Sequence, residues 1–107
     1  SLTHLNIQSN NIGSKAVHDL AMALESNSGL QTLMLAWIEI GDAGAEHLGR
    51  ALLHNSTLRS LNLSSSGLAT VKSLATALLS NSSLLDLDLS SNTIGNAGAQ
   101  QLAAVIS

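Results

Sequence analysis

Apolar and polar residues alternate in four short phrases along the chain: L-T-H-L-N-I from Leu2, L-Q-T-L-M-L from Leu30, L-R-S-L-N-L from Leu58 and L-L-D-L-D-L from Leu84. Alternation over the last four residues of each phrase is the period of a strand with one buried face. It turns Leu5 and Ile7, Leu33 and Leu35, Leu61 and Leu63, and Leu87 and Leu89 inward. Their neighbours His4 and Asn6, Thr32 and Met34, Ser60 and Asn62, and Asp86 and Asp88 then share the opposite face.

After each phrase a polar bend leads to Ile12, Ile40, Leu68 or Ile94, and the period lengthens to that of a helix. The inward set of the first helix reads Ala16, Val17, Leu20, Ala23 and Leu24. It reads Ala45, Leu48, Ala51 and Leu52 in the second, and Ala99, Leu102, Val105 and Ile106 in the fourth. Ser14, Asp42, Thr70 and Asn96 stand where N-caps are expected, since a side-chain oxygen there accepts an orphan N–H. Asn27, Asn55 and Asn81 stand where the helices close and are expected in the left-handed conformation. Each unit is strand, bend, helix and turn, and the units divide the chain at 1–29, 30–57, 58–83 and 84–107. The third is two residues short between Leu68 and Leu74, so its helix should start late and either change the curvature locally or leave a notch on the convex side.

One such unit cannot bury its apolar stripe, whereas stacked units bury it continuously. The expected architecture is an α/β solenoid of four repeats with parallel strands on one face and helices on the other. Because a helix is about 10 Å wide and strands pair at about 4.8 Å, the stack curves with its strands on the concave side. Gly44 and Gly98 should let helix backbone approach the sheet closely.

The phrase L-x-x-L-x-L-x-x-N-x-I-G-x-x-G-A-x-x-L-A is carried almost whole by residues 84–103. It resembles the ribonuclease-inhibitor class of leucine-rich repeats, which includes NOD-like receptors, Ran GTPase activators and tropomodulin-type actin cappers. The resemblance implies a horseshoe that binds protein partners and is not an enzyme. In that class the residue eight after each opening Leu is normally Asn, whose amide bonds the backbone of the bend. Asn10 and Asn92 fit, Ser66 replaces part of the bonding and Ile38 replaces none. Backbone groups beside Ile38 must therefore find another partner.

Composition narrows the function. Among 107 residues there is one aromatic, Trp37, and no Cys, and the net charge is −3. The four fixed cations Lys15, Arg50, Arg59 and Lys72 do not cluster, which argues against nucleic-acid partners. No apolar run approaches the roughly 20 residues that span a bilayer, and no membrane partner is expected. Absence of Cys leans towards a reducing, cytoplasmic setting. The Asn-x-Ser/Thr triplets at Asn55, Asn62 and Asn81 are read as products of a Ser- and Asn-rich composition rather than glycosylation sites.

Trp37 takes the place that Ser9, Ser65 and Ser91 hold in the other units, at the strand exit on the rim of the concave face. Flanked by Met34 and Ile38, it reads either as an anchor for a partner or as a lid over the bend at Ile38. Asp86 and Asp88 read as an acidic patch or as a plain solvated face; no third ligand or base beside them supports a metal or catalysis. His4, Met34 and Asn62 complete the candidate contact surface. His18 and His47 fall on outer helix faces one position out of register, His54 lies at a helix end, and all four histidines read as surface residues. No cofactor or metal is called for.

The expected function is a protein-interaction scaffold that grips a protein or peptide through the concave face and the strand-exit bends. Four strands present roughly 250 Å², against about 800 Å² per partner in a standard interface. Further repeats of a longer receptor-like chain are expected at both ends. Two alternatives stand beside this reading. One is a regulator of the Ran-activator type, although the bend residues Asn11, Glu39, Gly67 and Thr93 include no arginine. The other is a structural repeat subunit whose helices make the contacts.

Overall fold

The computed structural model describes residues 2–106, with side chains described for all of these except Ser14, Val105 and Ile106. The readings made of those three side chains, and of the repeat bounds at Ser1 and Ser107, lie outside the described residues. Four units follow one another: β1 (His4–Asn6) and α1 (Ser14–Ser26), β2 (Thr32–Met34) and α2 (Gly41–His54), β3 (Ser60–Asn62) and α3 (Lys72–Leu78), β4 (Asp86–Asp88) and α4 (Gly95–Ile106). The strands form one parallel sheet in the order β1-β2-β3-β4. Each helix packs on the next, so helices form a second layer behind the sheet. This is the α/β solenoid that the alternating phrases imply.

The core runs between the layers. Leu33, Leu35, Leu61 and Leu63 from the strands meet Leu48, Leu52 and Leu74 from the helices, all at most 1% exposed. Burying a leucine side chain contributes about 2 kcal/mol, and the stacked phrases repeat that gain unit by unit. The outer units are less shielded: Leu5, Ile7, Leu87 and Leu89 are only partly buried. In α1, Val17, Ala21 and Leu24 are buried and Leu20 partly so, whereas Ala16 and Ala23 are exposed, against the inward set read from the spacing. Ala99 of α4 is likewise exposed. Gly44 and Gly98 do mark close approaches, but to the bend isoleucines: a Cβ there would come within 2.9 Å of Ile40 Cβ and 2.6 Å of Ile94 Cβ, respectively.

Two expectations about helix ends are corrected. The closing asparagines are not left-handed. Asn27 (φ −79°, ψ 135°) and Asn55 (φ −100°, ψ 133°) are extended, and they act through their side chains. Asn55 Oδ1 accepts the N–H groups of Thr57 and Leu58 at 3.0 and 2.8 Å. Its Nδ2 donates to the carbonyls of Leu24 and Asn27 in the preceding unit at 2.8 and 3.1 Å. Asn81 repeats the arrangement with Ser83, Leu84, Leu52 and Asn55. The amides are thus committed to the fold at Asn55 and Asn81, which accounts for two of the three Asn-x-Ser/Thr triplets as turn chemistry.

Asp42 does not cap its own helix, because α2 starts at Gly41 with Ile40 ahead of it and no side-chain cap. Its Oδ1 instead accepts the N–H groups of Ala69 and Thr70 in the shortened third unit, at 2.9 and 3.2 Å. There α3 starts late, as the deletion implies, and Thr70 Oγ1 accepts the Lys72 N–H at 3.3 Å. Gly49 of α2 lies where α3 comes close: a Cβ at this position would stand 2.8 Å from the Ser73 carbonyl. A surface groove beside it, lined by Glu46, Arg50, Leu53 and Lys72, is the notch on the helix side.

Candidate functional site

The parallel register aligns the outward side chains in two rows. One runs His4, Thr32, Ser60, Asp86 and the other Asn6, Met34, Asn62, Asp88. A concavity of about 430 Å³ lies over β2 to β4, with Thr32, Met34, Ser60, Asn62, Asp86 and Asp88 among its lining. The face therefore changes from imidazole and amide at β1 to paired carboxylates at β4. Five of the six candidate residues sit on these rows, and Trp37 stands at their exit.

The second row also holds the strand exits together. Asn62 Oδ1 accepts the N–H and the hydroxyl of Ser64 at 2.9 and 2.8 Å. Asp88 Oδ1 accepts the same groups of Ser90 at 2.9 and 2.7 Å. The Ser90 hydroxyl, and then its N–H, hold the Asp88 carboxyl below its ordinary value. Asn6 takes the N–H of Gln8 at 3.1 Å. Met34, with Ala36 two residues on, has no such turn, so its thioether side chain interrupts a row of polar ones. On the first row, His4 Nδ1 lies 2.8 Å from Thr3 Oγ1.

Beyond the row, four residues adopt the left-handed conformation at equivalent positions: Ser9 (φ 62°), Trp37 (61°), Ser65 (51°) and Ser91 (57°). The N–H groups of Ser9, Trp37 and Ser65 stitch each bend to the next unit, as in Trp37 N–H to the Ser64 carbonyl at 3.0 Å. A bulky residue with positive φ is a genuine outlier, costing of order 1–3 kcal/mol. Trp37 is also 68% exposed, while the adjacent Ile38 is 1% exposed. A ring this open is not folded away as a lid over the bend. Ile38 joins the core, and the Leu35 carbonyl it leaves unserved finds a donor in the next unit, the Ser66 hydroxyl at 3.4 Å, which also lies 3.2 Å from the Ser64 carbonyl of its own bend. Where Asn is present the bonding is fuller, since Asn92 donates to three carbonyls and accepts from the Ser66 and Leu68 N–H groups.

The histidines depart from the reading of four separate surface residues in one respect. His18 and His47 are half-buried, and their rings meet across α1 and α2 with centroids 4.3 Å apart. Among the described residues no group of three or more His, Cys, Asp or Glu is placed to hold a metal ion. None of the described helices is long and apolar enough to cross a membrane.

Known structures share this architecture. The leiomodin-1 structure described as actin-binding site 2 superposes with a TM-score of 0.88 at 26% identity, over 97% of this chain. The chain spans 63% of that protein's length in the structure, so it corresponds to part of the leiomodin domain. The tropomodulin C-terminal domain of Caenorhabditis elegans superposes with a TM-score of 0.65 at 16% identity, over 99% of this chain and 83% of its own, which supports the fold alone. A search by sequence among curated proteins finds no significant match. The leucine-rich repeat family model matches residues 1–21, 54–71 and 80–103, more than half of the chain, and the chain belongs to the leucine-rich repeat family.

Proposed function

We propose that this chain is a protein-recognition module of the ribonuclease-inhibitor class, which engages a protein partner through its sheet face and the strand-exit bend at Trp37. The observation that carries the reading is the state of Trp37. It occupies a left-handed position that serine fills in the other three units, and 68% of it stays in solvent. Such a residue costs the fold strain and returns little burial, an arrangement that a binding partner makes useful. Around it, Met34 offers an adaptable apolar contact, and Asp86 and Asp88 favour basic groups on the partner. His4 and Asn62 complete the surface.

The likeness to a leiomodin actin-binding site nominates actin as the first partner to test. The sheet face alone presents roughly 250 Å², so a partner must also touch the bends or further repeats to reach a standard interface. Because Trp37 is the one tryptophan, 5-fluorotryptophan labelling places a single fluorine signal at the proposed contact. Monomeric actin should shift or broaden that signal. Trp37→Ser should weaken actin binding to the immobilised chain by about 30-fold, as loss of a hot spot does. Binding that ignores Trp37→Ser and Asp86→Asn alike would overturn the sheet-face reading; no binding at all would remove actin.

A further inference from the structure

On the helix side, the valley between α1 and α2 and the valley between α2 and α3 are equivalent by repeat but differ in depth. Counted back from the closing asparagines, His18, Ala21 and His47 of the first correspond to Glu46, Gly49 and Ser73 of the second. In the first valley the rings of His18 and His47 meet, and a cavity of about 30 Å³ remains beside them. In the second, serine stands in place of one ring and glycine in place of the buried alanine. There about 400 Å³ stays open.

The chemistry of the open valley is mixed in a particular order. Glu46, Gly49, Arg50 and Leu53 are spaced i, i+3, i+4 and i+7, so one face of α2 forms a wall of the groove. Leu53 is 49% exposed, a large apolar side chain left in solvent. Arg50, about one turn before it, is held only by Glu46 at 3.7 Å, with both side chains exposed. On the α3 wall Lys72 has no ion pair among the described residues. Two of the four fixed cations of a chain with net charge −3 thus line one groove, against a single carboxylate. The sheet face, with Asp86 and Asp88, carries the opposite sign.

We infer that this groove receives an acidic amphipathic helix of a partner protein. A leucine-sized side chain of the partner rests on Leu53, and a carboxylate one turn away lies between Arg50 and Lys72. A helix is the occupant because the apolar and cationic features follow one another at the rise of a helical turn along α2, and a helix laid in the valley presents its own side chains at the same rise. Charge complementarity selects an acidic one, with Glu46 opposing it. The groove lies on the helix layer, so the sheet face stays free for a partner of its own.

The probe is a fluorescein-labelled synthetic helix with leucine and glutamate one turn apart on one face and alanine and glutamine elsewhere. Fluorescence anisotropy measures its binding to the chain, and amide NMR spectra locate it. The signals of Gly49, Leu53 and Ser73 should move while those of Asn62 and Asp88 stay. Lys72→Glu should weaken binding about five-fold, the worth of an exposed ion pair at its upper end, and Glu46→Gln should tighten it. Ser73→His refills the valley as His47 fills the first one and should abolish binding. Circular dichroism checks folding, and Lys72→Glu, at an exposed position, decides the matter where Ser73→His does not fold. A probe that fails to bind, or that binds as well with lysine in place of glutamate, overturns the inference. Binding that moves only the sheet-face signals overturns it in favour of the concave side.

Discussion

The carboxylate of Asp42 accepts the Ala69 N–H at 2.9 Å across a unit boundary. It accepts the Thr70 N–H as well, and these are the backbone groups exposed where the third unit has lost two residues. A side chain in a full-length unit thus completes the turn of a shortened one. Asp42→Ala should destabilise the chain by about 1 kcal/mol, as loss of a capping carboxylate does. Amide exchange should locate the effect at Ala69 and Thr70. Asp42→Asn keeps an acceptor oxygen and should restore most of the protection.

Asn55 is 4% exposed and its side chain makes four hydrogen bonds, two of them to the preceding unit. Asn55→Ala leaves two carbonyls and two N–H groups without that partner, at about 3 kcal/mol. Chemical denaturation should show a lower midpoint. Asn55→Asp should do no better, because a carboxylate cannot donate to Leu24 O or Asn27 O.

Trp37→Asn should raise the stability of the isolated chain by about 1 kcal/mol, since Asn accepts positive φ more readily than an aromatic residue does. The same change should weaken partner binding. Thermal melts and binding measured on one preparation would reveal the opposition; a destabilised variant would contradict it.

The Asp88 carboxyl is held below its ordinary value by the Ser90 hydroxyl and N–H. A depressed folded value means that the contribution of this turn is present above the unfolded value. It is lost as pH falls through the folded one. A carbon-detected NMR titration should find Asp88 titrating below the usual carboxylate range, and Ser90→Ala should raise it. The turn at the β4 exit should loosen in acid before the matching turn at Asn62, whose amide does not titrate.

Gly49→Ala should destabilise the chain by about 1–3 kcal/mol, the usual range for overpacking. The added methyl would meet Ser73 backbone at 2.8 Å, and a helix start cannot swing aside as a flexible side chain can. Gly41, with nothing within 4 Å of an added Cβ, is the control for crowding, although its φ of +66° adds strain of its own.

The strands and the core were legible in the sequence because alternation maps directly onto a pleated sheet. Leu33, Leu35, Leu61 and Leu63 are buried as their spacing implies. Ile38 was legible as a missing polar rung, but its remedy in Ser66 was not, since that residue belongs to another unit. The same limit hid the true work of Asn55, Asn81 and Asp42. Each looks like a local helix-end residue in one unit, and each spends hydrogen bonds on a neighbour. His18 and His47 escaped for a related reason: helix periodicity gives the face of each residue but not the axial offset between two helices. At the sheet face the row of side chains could be read in advance, whereas the left-handed backbone at Trp37 could not, because serine at the equivalent positions hides the demand.

The backward reach of Asn55 and Asn81 also gives the molecule a mechanical polarity. Each clasp is carried by the later unit and closes on the earlier one, Asn55 joining the second unit to the first and Asn81 the third to the second. Traction on the N-terminal strand must tear the first unit from a clasp whose asparagine stays rooted in the second, with Leu58 and Leu61 packed behind it. With the chain held by both termini in an optical trap, loss of the Asn55 amide should lower the force at which the first unit leaves the second, and loss of the Asn81 amide that at which the second leaves the third.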